Sequence, residues 1–310
     1  MRRSIRYLSR GRTITVADVG PTTTLLDHLR LERGLVGTKE GCCEGDCGAC
    51  TVALGRLVDE RVVYEPVAAC IRLLGTIDGC ELVTVEDLVT GGTLHPIQQA
   101  MVAAHGSQCG FCTPGIVMSL FTLWSETRPV DRAAVVDRLS GNLCRCTGYR
   151  PIVEAALAAC ATRDGDAPPP EFRAHAAESA RRLAEIADDA DVFVGDETAF
   201  FAAPRRLATL LEIVAAAPDA LLVAGATDVG LWITKGGRTP PRLVHVGRVA
   251  ELDAVVETAD AIEIGAAVSL ERAGAVLGRL DPDIAALFRR IGGAQVRASG
   301  TLGGNIANGS

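Results

Sequence analysis

Gly41-Cys42-Cys43-Glu44-Gly45-Asp46-Cys47-Gly48-Ala49-Cys50 gathers four thiols and three glycines into ten residues. With Cys70 downstream, Cys42, Cys47 and Cys50 leave gaps of four, two and nineteen residues, the plant-type spacing for a four-thiolate [2Fe-2S] cluster. Cys43 fits less well, because the gap from Cys43 to Cys47 is three residues, and we read it as a bystander. Gly41, Gly45 and Gly48 suit a loop that must wrap closely around an anion and turn N–H groups towards its sulfurs. Outward from this loop, Ser4 to Leu8 and Arg12 to Val16 read as a hairpin around Ser9-Arg10-Gly11. Leu25, Leu26, Leu29 and Leu31 read as a short helix capped by Thr24, and Thr51 to Leu54 with Arg61 to Glu65 as a further strand pair. Strands, one crossing helix and a ligand loop predict a β-grasp ferredoxin domain over residues 1–82.

A second set follows at Cys109, Cys112, Cys144 and Cys146, with two residues between the first pair and one between the last. Thr113-Pro114 opens a helix to Trp124, and Thr147-Gly148-Tyr149-Arg150-Pro151 opens another from Ile152 to about Cys160. Both cysteine pairs therefore precede helix N-termini, where free N–H groups and the helix dipole favour negative charge. Pro96 starts a further helix towards His105, with Ile97, Ala100, Met101 and Ala104 on one face, and Asp131 caps one running through Leu139. A four-helix [2Fe-2S] domain over 83–161 is the expected result. His95 and His105 read as surface or capping residues, and Cys80 and Cys160 as small buried hydrophobes.

Zinc and disulfides are the competing uses of such thiols. Structural zinc favours Cys-x2-Cys knuckles on both halves of a site, and neither set has that form. Disulfides belong to oxidising compartments, whereas eleven cysteines is an odd number and no apolar run follows the basic start Met1-Arg2-Arg3. Reduced thiols in a cytoplasmic protein are the reading. The net charge of −7 gives nucleic acid no electrostatic support, and no apolar run approaches a membrane span.

The strings Gln108-Cys109-Gly110-Phe111-Cys112-Thr113-Pro114-Gly115 and Gly141-Asn142-Leu143-Cys144-Arg145-Cys146-Thr147-Gly148-Tyr149 resemble the helical cluster domain of molybdenum hydroxylases. Lys39 to Cys42 and Gly48 to Thr51 resemble the plant-type domain of the same family. Cys43 departs from it, standing where glycine or another small polar residue is usual. Beyond a charged, proline-rich stretch, read as a linker over 162–191 with a solvated helix between Ala176 and Ala190, two small-residue loops follow. Leu221 to Val223 runs into Ala224-Gly225-Ala226-Thr227-Asp228-Val229, a turn able to present N–H groups to a pyrophosphate. By itself this is no dinucleotide fingerprint. Its resemblance, and that of Arg297 to Ala307, to the family's FAD domain implies an incomplete vanillyl-alcohol-oxidase-type α+β domain over 192–310. Ala224, Gly225, Ala226, Thr227, Asp228 and Val229 would then line the FAD phosphates, with Gly300, Thr301, Gly304, Asn305 and Ser310 completing the pocket.

The resemblance implies two [2Fe-2S] clusters and FAD here and a molybdenum cofactor on a large partner subunit, with NAD as acceptor. Clusters fused to FAD without a molybdenum region resemble the iron-sulfur/FAD small subunit of bacterial xanthine dehydrogenases, C-terminally truncated. An aldehyde or other N-heterocycle hydroxylase, a ferredoxin-like carrier and a zinc-stabilised interaction module are the alternatives.

Overall fold

A computed structural model describes residues 1–89, 92–126, 128–163 and 170–310. In its first unit, β1 (Ile5–Ser9) and β2 (Arg12–Val16) form the expected hairpin, and β3 (Thr51–Val58) pairs antiparallel with β4 (Arg61–Ala68). The three-residue strand β5 (Glu81–Val83), too short to show a period, lies between β1 and β3 and gives the order β2-β1-β5-β3-β4. Helix α1 (Leu25–Asp27) starts at Thr24, whose hydroxyl accepts the Asp27 N–H at 3.0 Å, and widens into a π-turn over His28–Glu32. Leu25, Leu26 and Leu29 enter the core, but Leu31 is 80% exposed. Six residues after Leu25, it comes round to the opposite side of the helix.

Both faces of this sheet are covered. Val52 and Leu54 face the β-grasp core while Ala53, with Tyr64 and Val83, faces the helical unit, the alternation a strand imposes. That unit holds α2 (Pro96–Ala103), α3 (Thr113–Trp124), α4 (Arg132–Arg138) and α5 (Arg150–Ala161). Every residue of α3 from Gly115 to Trp124 is buried, which its nearly continuous apolar run allows. Asp131 caps α4 as expected, accepting the Ala134 N–H at 2.8 Å. The cap of α3 is Cys112 rather than Thr113, and the Thr113 hydroxyl is paired with Ser107 instead.

His95 takes the capping place of its two expected ones, at the start of α2, and does so buried rather than on the surface. It is 1% exposed, accepts the Ile97 N–H at the start of α2, and meets the rings of Phe121, Trp124 and Phe172 edge to face. Burial pushes its imidazole down to about 3; burial, with Arg72 and Arg56 nearby, does the same to His245. Since free imidazole titrates near 6.5, the unfolded chain binds more protons between roughly pH 3 and 6.5, and stability falls as pH drops through that window. At pH 5 each histidine should cost up to about 2 kcal/mol. Thermal unfolding at pH 7 and pH 5 should show a clear drop; an unchanged or raised midpoint at pH 5 would refute it.

The segment read as a linker contains a long packed helix, α6 (Pro170–Ile186); the stretch 164–169 lies outside the described residues. Leu183 and Ile186 pack on Leu8, and Ser179 donates to Glu81 Oε1 at 2.8 Å, so the helix covers the open face of β1. The expected solvated helix is thus a docked one. It leads into β6 (Val192–Gly195), β7 (Phe200–Ala203), α7 (Leu207–Ala216), β8 (Leu221–Val223), α8 (Val229–Thr234) and β9 (Arg242–His245). These form a mixed sheet of order β6-β7-β9-β8, followed by the hairpin of β10 (Val255–Glu257) and β11 (Ile262–Ile264). Helices α9 (Leu270–Leu277), α10 (Pro282–Arg289), α11 (Ala294–Ser299) and α12 (Leu302–Asn308) complete the described chain.

The first and third units are joined by backbone and by charge. Arg2 exchanges main-chain hydrogen bonds with Asp191 and Phe193, extending the third unit's sheet edge. Asp78, 4% exposed, accepts from Arg2 at 2.7 Å and from Arg248 at 2.5 Å, and also from the Arg6 N–H.

Candidate iron-sulfur and flavin sites

The loop before β3 is shaped by positive φ at Cys43, Gly45 and Gly48. A Cβ on Gly45 would stand 2.4 Å from Ile71, and one on Gly48 2.1 Å from the Gly141 carbonyl, so both positions need glycine for space as well as conformation. The folded loop brings Cys42 and Cys47 into side-chain contact and sets Cys50 against Cys70. Cys42 Sγ accepts the Cys47 N–H at 3.3 Å. Burial raises the Cys42 thiol, yet the N–H groups of Cys47, Glu44 and Asp46 outweigh it and hold the thiol below its ordinary value. Cys70 is raised by its contact with Cys50 and by burial. Cys43 points elsewhere: its Sγ donates to Glu40 Oε1 at 2.9 Å, and burial together with that carboxylate pushes it up to about 12.

The second set divides the same way, Cys109 with Cys146 and Cys112 with Cys144. Cys112 sits at the start of α3, and Cys144 and Cys146 shortly before α5, so each pair precedes a helix opened by proline, as its sequence predicts. Tyr149, at φ +67, caps α5 and sends its hydroxyl back to accept the Cys144 N–H at 2.7 Å. The Cys144 sulfur lies 3.1 Å from the Thr147 hydroxyl; burial raises this thiol, but Thr147 and neighbouring N–H groups bring it below its usual value.

Within each set the strongest thiol contacts are pairwise, with weaker interaction between the pairs. Among the described residues no three histidine, cysteine or carboxylate groups converge on a single-ion position. A tetrahedral zinc site draws all four sulfurs to one point, whereas a two-iron rhomb takes one thiolate pair on each iron. The residues present fit the second arrangement. Cys80 and Cys160 are buried, as expected of structural thiols.

The two small-residue loops also meet. A Cβ on Gly225 would stand 1.8 Å from the Ser299 carbonyl, and one on Gly300 3.3 Å from Thr227 Oγ1. Between them Ala226 adopts φ +59, and Thr301 caps α12 by accepting the Gly304 N–H at 3.1 Å. Asn305 and the exposed Ser310 follow on that helix and just beyond it, joined by the Ser310 N–H to Asn305 carbonyl bond. The structure thus brings 224–229 against 299–301. The N–H groups that open α12, from Leu302 to Asn305, are taken up by Val268, Ala266 and Thr301, so the backbone of 225–229 is the part that could meet a diphosphate. Helix α8 in turn leans on the first cysteine loop: Thr234 Oγ1 donates to the Cys43 carbonyl at 2.6 Å, and Gly230 lies flush against Ile71, next to Cys70. A cleft of about 520 Å3, lined by Arg61, Glu126, Arg138, Glu271 and Arg297 among others, borders the start of the second loop at Arg297 and Ala298 and includes none of 224–229. Sequence reasoning missed Asn142, Ser119, Thr51 and Gln295, a buried polar group between the cysteine loops; Asn142 lies within a quoted motif, whereas nothing local marks Gln295.

Comparison with known families gives three consecutive matches. Residues 8–72 match the 2Fe-2S iron-sulfur cluster binding domain, 84–157 the [2Fe-2S] binding domain, and 196–310 the FAD binding domain in molybdopterin dehydrogenase. The chain belongs to the molybdenum hydroxylase family. Aldehyde oxidase 2 of Cavia porcellus is 33% identical over 97% of the chain and 26% of its own length, and xanthine dehydrogenase of Drosophila subobscura 33% over 98% and 26%. This molybdenum hydroxylase chain spans about a quarter of the length of the curated relatives it matches. Among solved structures, quinoline 2-oxidoreductase from Pseudomonas putida 86 is 35% identical, covering 58% of this chain and 96% of that one with a TM-score of 0.42. The aldehyde oxidoreductase from Desulfovibrio gigas is 36% identical, covering 55% and 18%, with a TM-score of 0.46. Two [2Fe-2S] domains and an FAD-binding domain therefore follow one another in this molybdenum hydroxylase chain, the order its motifs predicted.

Proposed function

We propose that this chain is the electron-conducting part of a molybdenum-dependent hydroxylase. Cys42, Cys47, Cys50 and Cys70 hold one [2Fe-2S] cluster and Cys109, Cys112, Cys144 and Cys146 the other. When bound, the clusters carry single electrons away from a molybdenum centre on a partner, and FAD collects them in pairs for NAD. The chain's own residues set the conditions for this: N–H groups from Glu44, Asp46 and Cys47 favour the thiolate at Cys42, and the loop 224–229 offers N–H groups to the flavin diphosphate, with Gly300, Thr301 and Gly304 beside it. The observation that carries the reading is the resolution of each cysteine set into two pairs on loops that touch one another. Oxidation of hypoxanthine and xanthine in the cytoplasm, as part of purine catabolism, is the substrate reading. An aldehyde or another N-heterocycle is the second, favoured by an aldehyde oxidase relative as similar as the xanthine dehydrogenase. Among the described residues no helix is long and apolar enough to cross a membrane.

EPR of anaerobically purified, dithionite-reduced protein tests this directly. Two signals of different relaxation, each about one spin per chain, are expected from two [2Fe-2S] centres. An absence of signal in metal-loaded protein would replace the conducting role with a zinc-stabilised scaffold.

A further inference from the structure

Where the three units meet, four polar side chains are buried together: Thr51 (1% exposed), Ser119 (0%), Asn142 (2%) and Gln295 (2%). Gln295 Nε2, from α11, shares its two protons among three acceptors, Thr51 Oγ1 at 3.0 Å, Ser119 Oγ at 3.2 Å and Asn142 Oδ1 at 2.9 Å. Both hydroxyl protons are already committed, Ser119 to Asn142 Oδ1 at 2.7 Å and Thr51 to the Gly48 carbonyl at 2.7 Å. Asn142 Nδ2 donates to the same Gly48 carbonyl at 3.1 Å. The network therefore has a direction, from a donor in the third unit to an acceptor carbonyl between Cys47 and Cys50. Such a group is held in one arrangement when fully satisfied and is costly when broken.

What it holds is a contact between the two cysteine loops. The Leu143 N–H donates to the Cys47 carbonyl at 2.9 Å, joining the residue before Cys144 to Cys47 itself. Backbone approaches closely all round this bond. A Cβ on Gly115 would stand 2.0 Å from the Gly48 carbonyl, and one on Gly141 2.1 Å from Gln295 Oε1.

We propose that Gln295 is a positioning residue that locks the two cysteine loops in register, making the Leu143-to-Cys47 hydrogen bond the bridge between the two iron-sulfur centres. The bridging role rests on the ligand assignment proposed above; the clamp does not. With clusters held at Cys144 and Cys47, an electron passing between them would make and break no bond and move no proton, one centre being oxidised by one electron as the other is reduced. Because Gln295 belongs to the flavin-binding unit, seating of that unit sets the closeness of a contact between the other two.

The test compares the metal-loaded chain with Gln295→Met, which keeps length and loses the donors, and with Ser119→Ala, which removes one acceptor. Hydrogen exchange at the Leu143 amide and the mutual broadening of the two reduced EPR signals are read together. Gln295→Met should retain its iron, exchange the Leu143 amide about tenfold faster or more, and narrow the broadening, with Ser119→Ala shifting both less and in the same direction. Unchanged exchange and unchanged broadening in Gln295→Met would overturn the proposal. If that variant loses its iron, Ser119→Ala decides alone by the same criteria. If wild-type protein shows no paired signals, the cluster reading fails, while the exchange measurement still judges the clamp.

Discussion

Cys42→Ser is expected to remove about half of the chain's iron and the whole plant-type EPR signal, whereas Cys43→Ser should leave both unchanged. Two adjacent thiols compete for one ligand position, and backbone conformation separates them. Cys42 faces Cys47 and receives its N–H. Cys43 stands at φ +56, which turns its side chain outward to Glu40. That conformation suits glycine, so this cysteine is tolerated at a turn rather than selected as a ligand. Its carbonyl is also engaged, by Thr234 of α8, which anchors the turn in its present direction. Iron analysis with EPR of both variants settles the matter. Loss of iron in Cys43→Ser with retention in Cys42→Ser would reverse the assignment.

Asp78→Ala should give the largest loss of stability of any single substitution discussed here, about 3–5 kcal/mol, because it takes the carboxylate from the largely buried Arg248 and leaves Arg2 with Asp188 alone. Arg248 and Arg2 both point at this carboxylate, and burial pulls Arg248 below its usual pKa while Asp78 opposes that pull. The Arg6 N–H would also lose its acceptor. Arg248→Met should cost less, since Asp78 keeps Arg2 as partner. In urea, Asp78→Ala is expected to separate the unfolding of the third unit from that of the first, with two transitions replacing a shared one. A midpoint no different from that of an exposed control such as Asp260→Ala would show that the network contributes nothing.

The parts of this molecule that depend on spacing could be read from its sequence. Cysteine gaps, the prolines that open α2, α3 and α5, the Asp131 cap and the Thr24 cap are local signals, and each describes a turn or two of chain. The family resemblance then supplied the order of domains. What escaped was packing between distant segments. Charged residues made α6 look solvated, although Ser179, Leu183 and Ile186 follow the i, i+4, i+7 rule on one narrow face. His95 looked polar because nothing nearby announces Trp124, Phe121 and Phe172 around it. Gln295 is an ordinary amide in an ordinary helix; only tertiary contact between residues 51, 119, 142 and 295 gives it meaning.

The docking of Arg2 beside Val192 has a consequence for how such an assembly is divided among polypeptides. The unit written first in the chain touches both others, the helical unit through β3 and the flavin-binding unit through Arg2, Asp78 and Cys43, while those two meet each other at Gln295. Orientation is thus specified by side chains and sheet edges. Carrying both halves on one polypeptide, joined between residues 163 and 170, raises their effective concentration, on the order of millimolar for linked modules. Cutting the coding sequence there would turn an intramolecular seam into a subunit boundary with the same contacts, its occupancy then governed by how much of each half the cell makes.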